Sequence, residues 1–233
     1  MYEKQHTLAG EIQLEGIGLH TGAPCTLKML PAPEDHGYVF QRMDLEGQPL
    51  IPATLDHVVE NARSTTIGID DKARVITVEH AMAACYGLQL DNVLFQIDGP
   101  EPPALDGSAL PFVEAIKKVG IKQQAANRSF YVINEPIQYH DQENNIDLAA
   151  LESDDMRLTV MVDYNSDVLG MQHATLKRLE EFSEEIASSR TFCFFHELEP
   201  LHQAGLIRGG NLDNAIVIVD REQPQAEIDR VSD

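Results

Sequence analysis

Asp98-Gly-Pro-Glu-Pro-Pro-Ala-Leu-Asp-Gly-Ser108 constrains this chain more than any other stretch. Its three prolines remove backbone donors and fix φ, and its two Asp-Gly pairs favour turns, so neither helix nor strand passes through it. On the N-terminal side, Val93-Leu-Phe-Gln-Ile97 reads as a buried strand. On the C-terminal side, Phe112, Val113, Ile116 and Val119 recur at helical spacing, with Gly120 as the stop. A rigid polar loop between strand and helix is a natural place for a site. Within it Asp106 is read as the cap of the following helix, with a supporting role behind a catalytic group as the alternative.

Upstream, Thr77-Val-Glu-His-Ala-Met82 puts a carboxylate beside an imidazole at the start of a predicted helix. Thr77 fits the N-cap, and Val78, Met82, Cys85 and Tyr86 give that helix a buried face. Glu79 and His80 fall roughly 100° apart around the first turn, so both can serve one site. Neutral imidazole is the commonest transition-metal ligand, and a neighbouring carboxylate can take a proton from a metal-bound water. The competing reading makes Glu79 a favourable charge near a helix N-terminus and His80 a core histidine.

Charge narrows the partners. With 38 acidic against 17 basic residues and a net charge of -21, the chain lacks the basic face that nucleic-acid or anionic-lipid binding requires. No run approaches the ~18 apolar residues of a membrane span, and no secretory apolar region opens the chain. Cys25, Cys85 and Cys193 are odd in number and far apart, which supports neither a disulfide framework nor a zinc ribbon and fits a reduced, cytoplasmic compartment. Nothing in the sequence specifies an oligomeric state.

Strands are expected over 7–14, 24–30, 38–43 and 74–77, with Gly16-Ile-Gly-Leu-His-Thr-Gly22 forming a tight loop that carries His20. The polar segment 121–128 reads as a domain boundary. Beyond it, 129–140, 147–151 and 156–163 read as strands of a second sheet. Residues 180–189 then read as a helix, 190–195 as an apolar strand, 196–204 as a short helix and 214–219 as a final strand. The tail 221–233 is charged.

Six pieces then occur together: Gly18-Leu-His-Thr-Gly22, Thr77-Val-Glu-His80, Asp91-Asn92, Asp106-Gly-Ser-Ala109, Arg190-Thr-Phe192 and Gly209-Gly-Asn-Leu-Asp-Asn-Ala-Ile-Val217. In this order and spacing the chain resembles the UDP-3-O-acyl-N-acetylglucosamine deacetylases, the zinc-dependent enzymes of lipid A biosynthesis. The resemblance implies an α+β fold of two similar domains, 1–124 and 125–233, each a sheet packed on two helices. It implies a small β insertion near 48–70 in the first domain and a β-α-β insertion around 191–219 in the second. It also implies Zn²⁺ as cofactor and a UDP-linked acylated amino sugar as substrate. By the same resemblance Glu79 is the general base, Thr191 helps hold the oxyanion and His80 is a zinc ligand. His20 and Phe192 match positions near the sugar and metal, and Tyr164 matches one that stacks on uracil. Phe194, Leu198, Ile207, Gly210 and Val217 match the passage for the acyl chain; ordinary core packing is the alternative for the four apolar side chains.

The family's other zinc ligands sit on an H-K-x-x-D helix, and none of the nine histidines here is followed by Asp four residues on. The remaining ligands are therefore expected beyond Asp233, with the second domain incomplete and the 233-residue chain inactive alone. A form continuing into a hydroxyacyl-carrier-protein dehydratase is one such longer protein. The alternatives are a non-catalytic paralogue that binds a UDP-sugar lipid, and a carboxylate-only hydrolase built on Glu79 and Asp106. Missing closing strands also predict an exposed apolar face and self-association.

Overall fold

The computed structural model describes residues 3–232 and is mixed α+β. The first half runs β1 (Lys4–Leu8), β2 (Ile12–Ile17), β3 (Pro24–Pro31), β4 (Tyr38–Arg42), β5 (Leu50–Pro52), β6 (Val58–Glu60), β7 (Thr66–Gly68) and β8 (Arg74–Val75). It continues through α1 (Glu79–Gly87), β9 (Val93–Ile97), α2 (Leu110–Val119) and β10 (Ile121–Asn127). A five-stranded sheet in the order β2-β3-β9-β4-β5 forms its frame, antiparallel except for the β4–β9 pair. Strand β3 shows why: Cys25, Leu27 and Met29 alternate inward while Thr26 and Lys28 are partly exposed. Phe40 and Phe95 stack across the parallel pair with ring centroids 4.4 Å apart.

Both helices lie over this core. Helix α2 buries Phe112, Val113 and Ile116 as its spacing predicts, and Gly120 ends it at φ 89°. Helix α1 is alanine-rich and buries Ala81, Ala84, Cys85 and Gly87, so its neighbours approach closely. The expected buried face is only partly right: Val78 and Cys85 are buried, Met82 is half-buried and Tyr86 is 49% exposed. Beyond Glu79 and His80 the helix is nearly all apolar, so the stripe read from its spacing does not single out the buried face.

Small strands complete this half. β6, β7 and β8 form a three-stranded sheet where the β insertion is expected. The predicted 7–14 strand is two strands, β1 and β2, broken at Ala9-Gly10. The segment read as a domain boundary contains β10, antiparallel to β1 from Leu8↔Ile121 to Lys4↔Asn127. Its polarity goes with an exposed position in the ladder. Arg128, just beyond it, donates to the Asp91 carboxylate and to Gln89 O at 2.6 and 2.7 Å, tying the segment to the end of α1.

The second half consists of β11 (Ile137–Asp141), β12 (Ile146–Ala150), β13 (Leu158–Asp163), β14 (Met171–Leu176), α3 (Phe182–Glu185), β15 (Phe192–Phe194), α4 (Leu198–Gln203), β16 (Ile216–Ile218) and α5 (Gln225–Ser232). Instead of one second sheet there are two hairpins, β11–β12 and β13–β14. The predicted 129–140 strand begins only at Ile137, after Pro136 has removed a ladder donor. The 180–189 helix shortens to a 3-10 turn and the four residues of α3. Strands β15 and β16 pair in parallel around α4, the expected β-α-β unit. Leu176, Leu179, Phe182 and Ala187 join the first half's core, so one apolar cluster spans both halves. In contrast, Ile137, Tyr139, Leu148, Leu158 and Val160 on the hairpins are all more than 40% exposed. Among the described residues no helix is long and apolar enough to cross a membrane.

Candidate functional site

The loop between β2 and β3 is closed by its own backbone. Gly18 N–H donates to Ala23 O at 2.9 Å and Gly22 N–H to Gly18 O at 3.0 Å. This presents His20, only 6% exposed, with its Nδ1 buried and unpaired. The Gly209-Gly210 turn docks on the same loop, through Arg208 N–H to His20 O at 3.2 Å and Gly209 N–H to Leu19 O at 3.0 Å.

Thr77 is not the helix cap. Val78 occupies that position without a side-chain bond, and Thr77 sits at φ 57°, where its hydroxyl donates to Glu101 Oε1 at 2.9 Å. That left-handed residue turns the chain sharply, so Glu79 and His80 open α1 facing the His20 loop. The Glu79 carboxylate accepts from Thr65 N–H at 3.1 Å. Asp106 caps no helix either: Oδ1 accepts from Ser108 N–H and Ser108 Oγ, and Ser108 Oγ accepts from Leu110 N–H. The carboxylate shapes the loop, and the serine satisfies the start of α2.

Thr191 reaches the site from the second half. Its N–H donates to Gly107 O at 2.8 Å, and its carbonyl accepts from Ile216 N–H at 3.0 Å. Arg190 beside it donates to Asp106 O at 2.7 Å and Leu212 O at 2.9 Å. The Asp-Gly-Ser loop, the strand before α4 and the segment before β16 thus form one joint.

These parts enclose a cavity of about 140 Å³. His20, Thr77, Glu79, His80 and Thr191 are among its polar lining residues; Phe192, Leu198, Leu201, Ile207 and Val217 are among its apolar ones, with Gly210 also on the wall. Nine of the eleven residues expected at the site therefore converge on it. Tyr164 and Phe194 do not line it. Tyr164 packs edge-on against Phe192 and Phe194, at 5.4 and 6.2 Å between centroids, and Phe194 stacks on His196. Their aromaticity is spent on one another.

Several lining groups were not anticipated. Arg63 stands at the wall and pairs with Glu197 at 2.6 Å, across 134 residues of sequence. Burial pushes the Glu197 carboxyl up, but Arg63 and the Phe194 N–H outweigh it and hold it below the usual range. Cys193 also lines the cavity, and burial raises its thiol, which keeps it protonated and a poor nucleophile or ligand. Among the described residues no three His, Cys, Asp or Glu side chains come together to hold a metal ion. His80 and its neighbours do not by themselves make a tetrahedral zinc site, which needs three protein ligands.

An α+β frame thus brings a carboxylate, two imidazoles and two threonine hydroxyls to the wall of one cavity that apolar side chains also line. The family model described as LpxC: UDP-3-O-acyl N-acetylglycosamine deacetylase matches residues 5–233, and the chain belongs to that family. It is 49% identical over 230 residues to the "Bifunctional enzyme LpxC/FabZ" of Chlorobaculum tepidum, covering 98% of this chain and 49% of that protein. The protein of the same name from Bacteroides thetaiotaomicron is 46% identical, with 99% and 50% covered. The "UDP-3-O-acyl-N-acetylglucosamine deacetylase" of an Anaeromyxobacter species is 41% identical over 222 residues, with 93% and 70% covered. The chain thus spans about half the length of the bifunctional relatives it matches.

Proposed function

We propose that this chain carries the substrate cavity and the general base of a UDP-3-O-acyl-N-acetylglucosamine deacetylase. Supporting this is one observation above the others: Glu79, His80, His20 and Thr191, drawn from three distant segments, line one cavity together with the apolar side chains of Phe192, Leu198, Ile207 and Val217. A sugar acetamide would sit against the polar lining residues and an ester-linked acyl chain against the apolar ones. Glu79 would take the proton of the attacking water and return it to the leaving amine. The Thr191 hydroxyl would donate to the developing oxyanion. His20 Nδ1, buried and free, would accept from or donate to a polar substituent of the sugar, according to its tautomer.

Zinc belongs to the same proposal. His80 would supply one imidazole and groups outside the described residues the rest, so the 233-residue chain alone is expected to show no turnover. The 1–124 and 125–233 division is kept as part of this reading. The uridine end is assigned to Tyr164, whose ring would stack on the base while packing edge-to-face with Phe192.

The test is Glu79→Ala in the natural-length protein. Acetate release should fall by about 10²–10⁴-fold while substrate still binds. If the variant unfolds, or loses binding together with turnover, the residue is structural and the reading fails. A protein that binds the UDP-sugar lipid and never releases acetate, with or without Glu79, is a non-catalytic receptor.

A further inference from the structure

Glu101 is the most deeply enclosed acid of the chain's described residues, 1% exposed, yet it does not line the cavity and forms no ion pair among the described residues. Its partners are neutral donors. Oε1 accepts from His20 N–H at 3.0 Å and the Thr77 hydroxyl at 2.9 Å. Oε2 accepts from Thr21 N–H and the Thr21 hydroxyl, both at 2.8 Å, and from a second branch of the His20 N–H at 3.1 Å. Room for this is made at Gly18, where a Cβ would stand 2.4 Å from Oε2. The flanking chains are joined as well, by Ile76 N–H to Pro100 O at 2.9 Å.

A carboxylate can saturate its lone pairs on such a set, whereas losing it strands buried donors. The donors come from two places only: the loop presenting His20, and the left-handed residue that launches Glu79 and His80. We propose that Glu101 is a positioning residue: one enclosed carboxylate fixes the placement of His20 relative to the Glu79–His80 helix turn. This explains why Thr77 keeps an unfavourable φ. Its hydroxyl is aimed at Glu101, and in that conformation the first turn of α1 faces the loop. The prolines on either side, Pro100, Pro102 and Pro103, hold the carboxylate in place without needing backbone donors.

The turnover arm of the test rests on the deacetylase reading; a second arm does not. In the natural-length protein, Glu101→Gln keeps the volume and one acceptor but turns an amide N–H toward the His20 N–H. Its kcat should fall by about 10²-fold, as for a small misplacement of catalytic groups, with KM nearly unchanged and a cooperative melt retained. Independently, amide NMR should show the His20 and Thr21 N–H signals moving while those of the β3–β9 ladder stay. Thr77→Val, which deletes one donor and spares the buried carboxylate, should shift kcat in the same direction and serves if Glu101→Gln fails to fold. Full kcat in both variants overturns the proposal, as does an unmoved His20 signal in Glu101→Gln. If the unmodified protein releases no acetate, the deacetylase reading fails, and the amide signals alone then decide the role of Glu101.

Discussion

Gly107 and Asn214 meet backbone to backbone: a Cβ on Gly107 would lie 1.9 Å from the Asn214 carbonyl oxygen. No rotamer relieves such a contact, and Gly107 also sits at φ 81°, where side chains are strained. The same glycine's carbonyl holds the Thr191 N–H, so this joint sets where the hydroxyl enters the cavity. Gly107→Ala should destabilise the chain by at least about 2 kcal/mol, read as a lower urea midpoint. An unchanged midpoint would mean the two segments are not joined there.

Gly87 tests the packing between the halves with opposing signs. Alanine in a helix interior is worth about 1 kcal/mol over glycine, and less at Gly87, the last residue of α1. Here, though, a Cβ would stand 2.1 Å from the Phe182 ring. Overlap of that kind costs about 1–3 kcal/mol, so Gly87→Ala should destabilise on balance. Adding Phe182→Leu should recover part of the loss in a double-mutant cycle. A net gain for Gly87→Ala alone would show that Phe182 does not pack on α1.

Arg42 is nearly buried and donates twice to Asp44, at 2.8 and 2.7 Å, and once to Arg74 O. Bonding from Arg42, working against burial, holds the Asp44 carboxyl below its ordinary value. A depressed folded-state value contributes stability above the unfolded pKa and loses it as pH falls through the folded one. Asp44→Asn should therefore cost about 1–2 kcal/mol at neutral pH, with the difference closing as unfolding is measured below about pH 4. A gap that stays constant with pH would remove the ion pair from the account.

The two hairpins predict behaviour in solution. Ile137, Tyr139 and Leu148 on one, and Leu158, Val160 and Val162 on the other, leave apolar side chains open to water. Contiguous apolar surface on this scale drives association. The 233-residue chain should elute from size-exclusion columns above monomer size, increasingly so at higher concentration. A clean monomer at all concentrations would contradict this.

What could be read from the residues, and what could not, follows the range of the interactions. Alternation in 24–31 and the 112–119 spacing are local signals, and β3 and α2 stand where they put them. The Glu79-His80 pair, the glycine loops and Arg190-Thr-Phe192 were legible as motifs, and residues of each motif, though not Arg190, line one cavity. Thr77 was misread because its hydroxyl serves a carboxylate 24 residues away rather than the nearest helix N–H. Residues 121–127 lack strand composition and pair only because β1 lies beside them. Arg63 and Glu197, 134 residues apart, carry no local sign of each other. Tyr164 and Phe194 lie outside the cavity lining and pack edge-on against each other and against Phe192, contacts that no local spacing announces.

The central claim is that the cavity holding Glu79 and His80 is where an N-acetyl group is removed. Acetate release from UDP-3-O-acyl-N-acetylglucosamine by the natural-length protein, measured beside its His80→Ala variant, tests it most directly. The account predicts release by the unmodified protein and a loss of at least about a hundredfold on removing the imidazole. Undiminished release by His80→Ala would contradict it.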